Sequence, residues 1–337
     1  MTIDREDSAV KWLLQSGDPS IRYLTLTQIL DVPSDSHEVV KEKKQIPDGP
    51  LVRTLLSGQQ SDGGFGNHPY SKWTGAHWRL VSLTELGIPT GFEPAVKATS
   101  GVLDWVAGPG HLRGVEQVNG LTRRCASQEG NALAICSRLG LGGEPRVRQI
   151  AASLVKWQWP DGGWNCDRRP DVKHSSFNES LATLWGLTEH YQATGDSEVG
   201  QAVDRAAEFF LKHRIFRSCR SDDERPPETF HGEMFRTVHP WTQIHYPVYW
   251  HHDILQALMI ISRAGKLAGP RTSDALDLVL AKRGPDGLWR PEAYYWSLKR
   301  KRESKASNLD IVDWGRKGPN LMITLNALRV LKAAGRI

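Results

Sequence analysis

A turn of the form Gln-x-x-Asp-Gly-x-aromatic occurs three times along this chain of 337 residues. The copies lie at residues 59–65, 158–164 and 283–289, and the last has Arg283 in place of the glutamine. The Asp-Gly pair permits a positive φ, the aspartate accepts from nearby backbone N–H groups, and the glutamine reaches free backbone groups at a helix end. A motif that recurs in this way indicates a repeat architecture, in which each unit buries its apolar face by stacking on its neighbours.

The composition restricts the possible partners and setting. The chain has 43 basic and 38 acidic residues, a net charge of +5, and its basic run at 299–302 is typical of a solvated face, so we expect no nucleic-acid partner. No apolar run is long enough for a transmembrane segment, and the acidic, polar N-terminus does not resemble a signal peptide. Four cysteines over this length do not make a disulfide framework, which favours a reducing, cytoplasmic setting.

Helical periodicity is common along the chain, and strand patterns are weak. Apolar residues recur at helical spacing at 9–14, 21–30, 49–58, 78–86, 96–106, 130–139, 147–157, 181–187, 202–211, 254–264, 275–280 and 325–331. Helical pairs joined by these turns, curled until the last pair meets the first, predict an all-α fold, an α/α toroid of about five or six hairpins. We expect residues 1–48 to form an N-terminal helical extension packed on a toroid domain of residues 49–337.

The turn motif resembles that of the terpenoid cyclase and protein prenyltransferase superfamily, whose members share an α/α toroid. The sequence is similar in particular to bacterial proteins described as squalene-cyclase-like or prenyltransferase-repeat. The stretches that carry this resemblance are residues 161–177, 246–255 and 324–331. The resemblance implies an apolar or isoprenoid substrate in the barrel cavity.

The chain differs from the superfamily in the motifs that carry out its chemistry. It has neither the Asp-x-Asp-Asp motif with which class II cyclases protonate their substrate nor a diphosphate-ionising Asp-Asp-x-x-Asp. Prenyltransferase β subunits bind zinc through Asp-x-Cys and a later histidine at the start of an inner helix. The position that resembles this histidine is Asn178, so the family's zinc site does not transfer residue by residue.

A different zinc site is predicted from the way a toroid brings its inner helices together. Each inner helix begins at the same mouth of the barrel, so residues far apart in sequence converge there. Two thiolates with imidazoles suit Zn²⁺. We therefore predict a zinc site formed by Cys125, Cys166, His174 and His251.

The same mouth supplies candidate catalytic and substrate-binding residues. Asp253 would orient a histidine or act as a general acid or base, and His251 and His77 are further catalytic candidates. The substrate pocket is predicted to include the aromatic residues Trp78, Trp164, Trp250 and Tyr246. The segment 218–245, the longest without a helical pattern, is expected to cap this pocket.

Each of these residues also fits a structural role. A single cysteine such as Cys125 is often a small buried apolar residue, and the position of His174 also fits support of a helix cap made by Ser175 or Ser176. Two functions therefore remain open. One is an enzyme with zinc that acts on an isoprenoid or other apolar substrate; the other is a non-catalytic scaffold that binds lipid or peptide and has a structural Cys/His site.

Overall fold

The computed structural model describes residues 3–217, 241–298 and 308–337, where the chain is predominantly helical and has one small antiparallel hairpin. The predicted all-α class is confirmed. The helices are α1 (Ser8–Leu14), α2 (Pro19–Gln28), α3 (His37–Gln45), α4 (Pro50–Leu56), α5 (Ala76–Glu85), α6 (Glu93–Val106), α7 (Pro109–Leu112), α8 (Ser127–Arg138), α9 (Pro145–Trp157), α10 (Phe177–Thr194), α11 (Ser197–Lys212), α12 (Ile254–Arg263), α13 (Ser273–Ala281) and α14 (Leu321–Ala333). The hairpin pairs β1 (Glu116–Val118) with β2 (Leu121–Arg123). None of the helices in these ranges is long and apolar enough to cross a membrane.

Local sequence explains where many of these helices begin. Side chains that accept hydrogen bonds from the first turn cap several helices, and α2, α4 and α9 carry proline in that turn. The capping residues are Asp7, Asp18, Ser36, Glu144, Asp196, Asp253 and Asn320. A proline or a cap at the start of a helix fixes its first turn, so the sequence itself sets these boundaries.

The chain divides into two compact units. One comprises Met1–Val102, Ile244–Tyr249 and Val279–Ile337, and the other comprises Leu103–Gln243 and Trp250–Leu278. We refer to these as the first and second units. The predicted boundary after residue 48 stays a prediction. Most of the segment that we expected to cap a pocket, residues 218–240, lies outside the described residues.

In the second unit, α10 is the central element. Nearly every residue from Phe177 to His190 is buried, and α10 packs on α8, α9, α11 and α12. α8 is buried to a similar extent, whereas α9 and α11 bury only one face, at spacings of three and four residues. The unit therefore has buried inner helices and amphipathic outer ones.

Two glycines allow α8 and α10 to approach closely. A Cβ atom on Gly130 would lie 2.6 Å from the backbone of Ala182, and one on Gly186 would collide with the carbonyl oxygen of Gly130. Any larger residue at this crossing would force the helices apart. The close approach matters because both helices begin beside the candidate site.

In all three repeated turns, the first residue of the motif donates a side-chain hydrogen bond to the carbonyl four residues on. Gln158 donates from Nε2 to the carbonyl of Gly162 (2.8 Å) and to that of Ala202 in α11 (2.9 Å). Gln59 makes the equivalent pair of bonds, and Arg283 donates to the carbonyl four residues on and to Asp7. Each turn connects two successive helices along the chain, and these bonds link it to a further segment as well. The turns serve chiefly to position helices.

The aromatic residue of the turn is anchored in a repeated way as well. Trp164 donates from Nε1 to the Leu154 carbonyl (2.9 Å), and Trp289 donates to the Val279 carbonyl (2.7 Å), in both cases ten residues earlier. In the first copy Phe65 replaces tryptophan, and the guanidinium of Arg79 lies 3.9 Å from the centre of its ring. The tryptophan of the second and third copies is therefore anchored to the helix that enters the turn, whereas Phe65 of the first copy contacts α5, which follows it.

Candidate metal centre

A short parallel pairing brings two cysteines together. β2 ends at Arg123, which forms a parallel bridge with Asn165, and the Arg124 N–H donates to the Asn165 carbonyl (3.0 Å). Asn165 and Cys166 directly follow the central turn, whose Trp164 is fixed to α9. Because the two segments run alongside each other in this register, Cys125 and Cys166 become neighbours although 40 residues separate them.

Glu179 completes a group of three side chains that could hold a metal ion. One ligand atom from each of Cys125, Cys166 and Glu179 lies within 4.8 Å of the other two, and no other such group of three or more is found among the described residues. The Cys166 thiol donates to Glu179 Oε1 at 3.3 Å. Both thiols are free and half-buried, and Glu179 is only 9% exposed. The group is therefore compact and partly shielded from water.

The position of Glu179 is set by the packing of α10 on α8. Glu179 is in the first turn of α10, and its Oε2 accepts a hydrogen bond from the Ser127 N–H at the start of α8 (3.0 Å). The residue before Ser127, Ala126, has no side chain that can cap α8. Glu179 thus takes the place of a capping residue for the neighbouring helix, which holds its carboxylate next to the cysteines.

Proximity and burial disfavour negative charge on Cys166 and Glu179 when no cation is present. The pKa of the Cys166 thiol is raised by its hydrogen bond with Cys125, by burial and by the negative charge of Glu179. Burial raises the pKa of Glu179, although hydrogen bonds from Ser127 oppose the change. A divalent cation would stabilise all three groups in their anionic forms. Two thiols and a carboxylate are ligands that Zn²⁺ takes in proteins, so the donor set fits this metal.

A buried ion pair lies next to the three ligands. Arg124 donates from Nε to Glu129 Oε1 (2.7 Å), and His111 Nε2 lies 3.0 Å from the same oxygen. Glu129 is in the first turn of α8, is 1% exposed, and its charge contributes to the raised pKa of Glu179. Two carboxylates from adjacent helices therefore face the same small region, and one of them carries a guanidinium partner.

The two histidines predicted as ligands are not members of this group. His174 is exposed, and its carbonyl accepts a hydrogen bond from Asn165 Nδ2 (2.9 Å). The His251 ring stacks on Trp250 with 4.0 Å between ring centroids. The sequence analysis identified both cysteines but missed Glu179. The available signal was that Glu179 is the one charged residue between Phe177 and Leu187.

The predicted catalytic residues have defined structural partners. Asp253 is fully buried and caps α12 by accepting from the Gln256 N–H (2.7 Å). His77 belongs to the first unit, where it is fully buried and contacts the edge of Trp78 at a centroid distance of 4.7 Å. Catalytic roles for Asp253, His251 and His77 stay predictions.

Three of the four predicted pocket residues are buried and hydrogen-bonded. Trp78 donates to the Tyr70 carbonyl (3.2 Å), Tyr246 donates to Glu85 Oε2 (3.1 Å), and Trp164 is anchored as described above. Trp250 is half-buried. These bonds give the residues a part in core packing. Their place in a substrate pocket stays a prediction.

The first unit contains a buried carboxylate that the sequence analysis missed. Asp310 is 5% exposed and accepts hydrogen bonds from the Tyr249 hydroxyl, from Trp314 Nε1 (3.1 Å) and from two backbone N–H groups. Burial raises its pKa although these donors oppose the change. The Tyr249 ring in turn stacks on Trp73 at 4.0 Å. With these donors, Asp310 anchors the segment before α14.

Comparison with known proteins gives distant structural likenesses only. No family model matches the chain, and no curated protein matches it. A type II terpene cyclase, MstE from Scytonema, is 13% identical, with 98% of this chain and 97% of that chain covered and a TM-score of 0.44. A protein from Actinoplanes is 14% identical (95% and 90% covered, TM-score 0.42). The Escherichia coli alpha-2-macroglobulin, from domain MG7 to the C-terminus, is 17% identical (96% and 41% covered, TM-score 0.38). Likenesses at this level assign neither a family nor an activity to the chain.

Proposed function

We propose that this protein is a zinc-dependent enzyme that acts on an isoprenoid or similarly apolar substrate, with Cys125, Cys166 and Glu179 as the zinc ligands. The observation that supports this proposal most strongly is the mutual distance of the three ligand atoms, all within 4.8 Å. The set keeps two of the ligands that the sequence predicts and replaces its two histidines with one carboxylate.

Within the described part of the chain, the number and type of the ligands favour a catalytic site over a structural one. Structural zinc sites usually have four protein ligands, whereas catalytic sites have three and leave one position for water or substrate. Bound zinc supplies Lewis-acid chemistry, which polarises a substrate oxygen or activates water or a thiol. The chain's own residues hold the site in place: Ser127 fixes Glu179, and the 123–165 bridge fixes the cysteines.

The substrate class rests on the sequence. The repeated turn resembles that of the terpenoid cyclase and prenyltransferase superfamily, which implies an apolar or isoprenoid substrate. The half-buried thiols leave the ligand group accessible from solvent. A transferase, a cyclase or a hydrolase would each use a metal centre of this kind.

The test is a search for products that depend on the zinc ligands. Zinc-loaded protein is incubated with farnesyl and geranylgeranyl alcohols and diphosphates, and the products are identified by mass spectrometry. We expect conversion by the wild type and by Cys136→Ala, whose thiol is buried within α8, and none by Cys166→Ser. Stoichiometric zinc without any conversion, together with unfolding when zinc is removed, would instead support the non-catalytic scaffold.

A further inference from the structure

The ion pair beside the proposed zinc ligands has one unpartnered atom on each side. Glu129 Oε2 is buried and has no hydrogen-bond partner among the described residues, since both of its partners bind Oε1. Arg124 uses Nε for Glu129 and Nη1 for the His111 carbonyl (3.2 Å), which leaves Nη2 buried and equally without a partner in the described ranges. A buried acceptor and a buried donor therefore occur on two side chains that already contact each other.

Such atoms are costly to bury. A buried polar atom without a hydrogen bond loses its interactions with water and gains nothing in return, and the loss is larger for charged groups. The neighbouring carboxylate of Glu179 differs in this respect, because both of its oxygens are used, one by Ser127 and one by Cys166. Among the described residues, Arg123 and Asp274 of the same unit also have unsatisfied buried atoms, but in the Arg124–Glu129 pair an unsatisfied donor and an unsatisfied acceptor lie on two side chains that hydrogen-bond to each other.

The chemistry of the two atoms restricts the group that would satisfy them to one that both donates and accepts a hydrogen bond. The carboxylate oxygen only accepts, and the guanidinium nitrogen only donates. A hydroxyl group does both, because its O–H donates to Oε2 while its oxygen accepts from Nη2. An ether oxygen can accept but cannot donate, and an ammonium group can donate but cannot accept.

We propose that Arg124 and Glu129 form a hydroxyl-binding subsite next to the Cys125/Cys166/Glu179 group, and that its ligand is an alcohol. Arg124 immediately precedes Cys125, and Glu129 is two residues from Ser127, whose N–H holds Glu179. An alcohol held here would have its oxygen beside the zinc ligands. The inference rests on the proposed function for the apolar character of that alcohol, and it narrows the substrate to one that carries a hydroxyl group.

The test compares farnesol with farnesyl methyl ether, which has the same chain and lacks the donor. Binding is followed by quenching of the fluorescence of the 13 tryptophans. A hydrogen bond to a charged group predicts that the wild type binds farnesol at least ~10-fold more tightly than the ether. The ratio of the two affinities should fall towards one in Glu129→Gln and in Arg124→Lys. It should keep its wild-type value in Glu198→Gln, which changes an exposed glutamate in the first turn of α11.

The wild-type comparison alone decides the proposal if the variants fail to fold. The subsite is overturned if the alcohol and the ether bind with equal affinity, which would mean that the pair holds an ordered water only. It is also overturned if the protein binds neither compound. Repeating the titration after chelation separates this inference from the proposed function: a preference for farnesol in a protein that binds no zinc keeps the subsite and rejects the zinc enzyme. Replacing farnesol with 1-dodecanol and its methyl ether then tests the hydroxyl independently of the isoprenoid chain.

Discussion

At the scale of single residues, the carboxylate of Glu179 makes two contacts while burial disfavours its negative charge. Its carboxylate supports the start of α8 through the Ser127 N–H and accepts a hydrogen bond from the Cys166 thiol. Burial raises its pKa above the usual 4.5, so the folded protein without a cation disfavours the ionised form more than the unfolded chain does. A carboxylate that supports a helix, and whose ionised form is disfavoured by burial, is typical of a site arranged for a positive ligand.

This predicts an unusual pH dependence of the metal-free protein. Because the pKa of Glu179 is raised in the folded state, its contribution to stability is fully present below about pH 4.5 and is lost as the pH rises through the higher folded value. Glu179→Gln should remove that loss. Urea unfolding in the presence of a chelator, at a series of pH values, should show the difference between wild type and variant growing in favour of the variant as pH rises.

Glu144 provides the control, because its pKa shifts in the opposite direction. Partial burial alone would raise the pKa of Glu144, but hydrogen bonds from Arg146 and from the Val147 N–H lower it. Its contribution is present above its usual pKa and is lost on acidification, so Glu144→Gln should cost stability at neutral pH. If Glu179→Gln behaved like Glu144→Gln, Glu179 would be an ordinary helix cap.

Residue identity alone did not predict the ligand set that we propose, for a physical reason. Cysteines are rare, so Cys125 and Cys166 stood out in the sequence. Histidines are also conspicuous, yet His174 is exposed, and its position depends on how the loop after Cys166 folds. Glu179 is one of many glutamates, and only the packing of α10 against α8 makes it the nearest carboxylate.

At the scale of elements, the crossing of α8 and α10 holds the candidate site together. The glycines at this crossing predict that Gly186→Ala destabilises the protein by about 1–3 kcal/mol, because the added methyl group overpacks the interface. Chemical denaturation measures this. Gly101→Ala in α6 is the matched control, since a Cβ there meets only Pro69 at 3.8 Å; helix propensity predicts a gain of roughly 0.5–1 kcal/mol. Equal effects of the two substitutions would contradict the close crossing.

The repeated turn predicts a second effect on stability. Gln158→Ala removes hydrogen bonds to two carbonyls, in the turn and in α11, and should destabilise the protein by about 1–3 kcal/mol. Gln192→Ala is the comparison, because this exposed glutamine donates one bond, to the Arg263 carbonyl, and its loss should cost less than roughly 0.5 kcal/mol. Urea midpoints of the two variants provide the test; similar midpoints would remove the structural role assigned to the turn.

The sequence predicted helices correctly where apolar residues recur at helical spacing. It missed the helices and strands that lack this spacing. The buried helices α8, α10 and α14 were all predicted from their spacing. α3 was missed because it is strongly polar and buries only Val39. The β1–β2 hairpin was missed because its strands have three residues each, yet the bridge between the end of β2 and Asn165 is what brings Cys125 to Cys166.

At the scale of the whole molecule, the proposed metal chemistry is confined to one of the two compact units. All three ligands and the Arg124–Glu129 pair belong to the second unit, whereas two of the three repeated turns belong to the first. The turn was the feature that best predicted the fold, but only its central copy leads into the ligand group. Residues 158–166 therefore contain both a repeated turn that positions helices and the start of the proposed metal centre. Elsewhere in the chain, these two tasks belong to different residues.

The most direct measurement is the zinc content of purified protein, by elemental analysis after dialysis against limiting metal. We predict one zinc ion per chain in the wild type, loss of zinc in Cys166→Ser and Glu179→Gln, and full retention in His174→Ala and Cys136→Ala. These four variants separate the ligand set of the structure from the one predicted by the sequence, which includes His174 and lacks Glu179. A wild type without zinc, or loss of zinc in His174→Ala with retention in Glu179→Gln, would contradict the proposed centre.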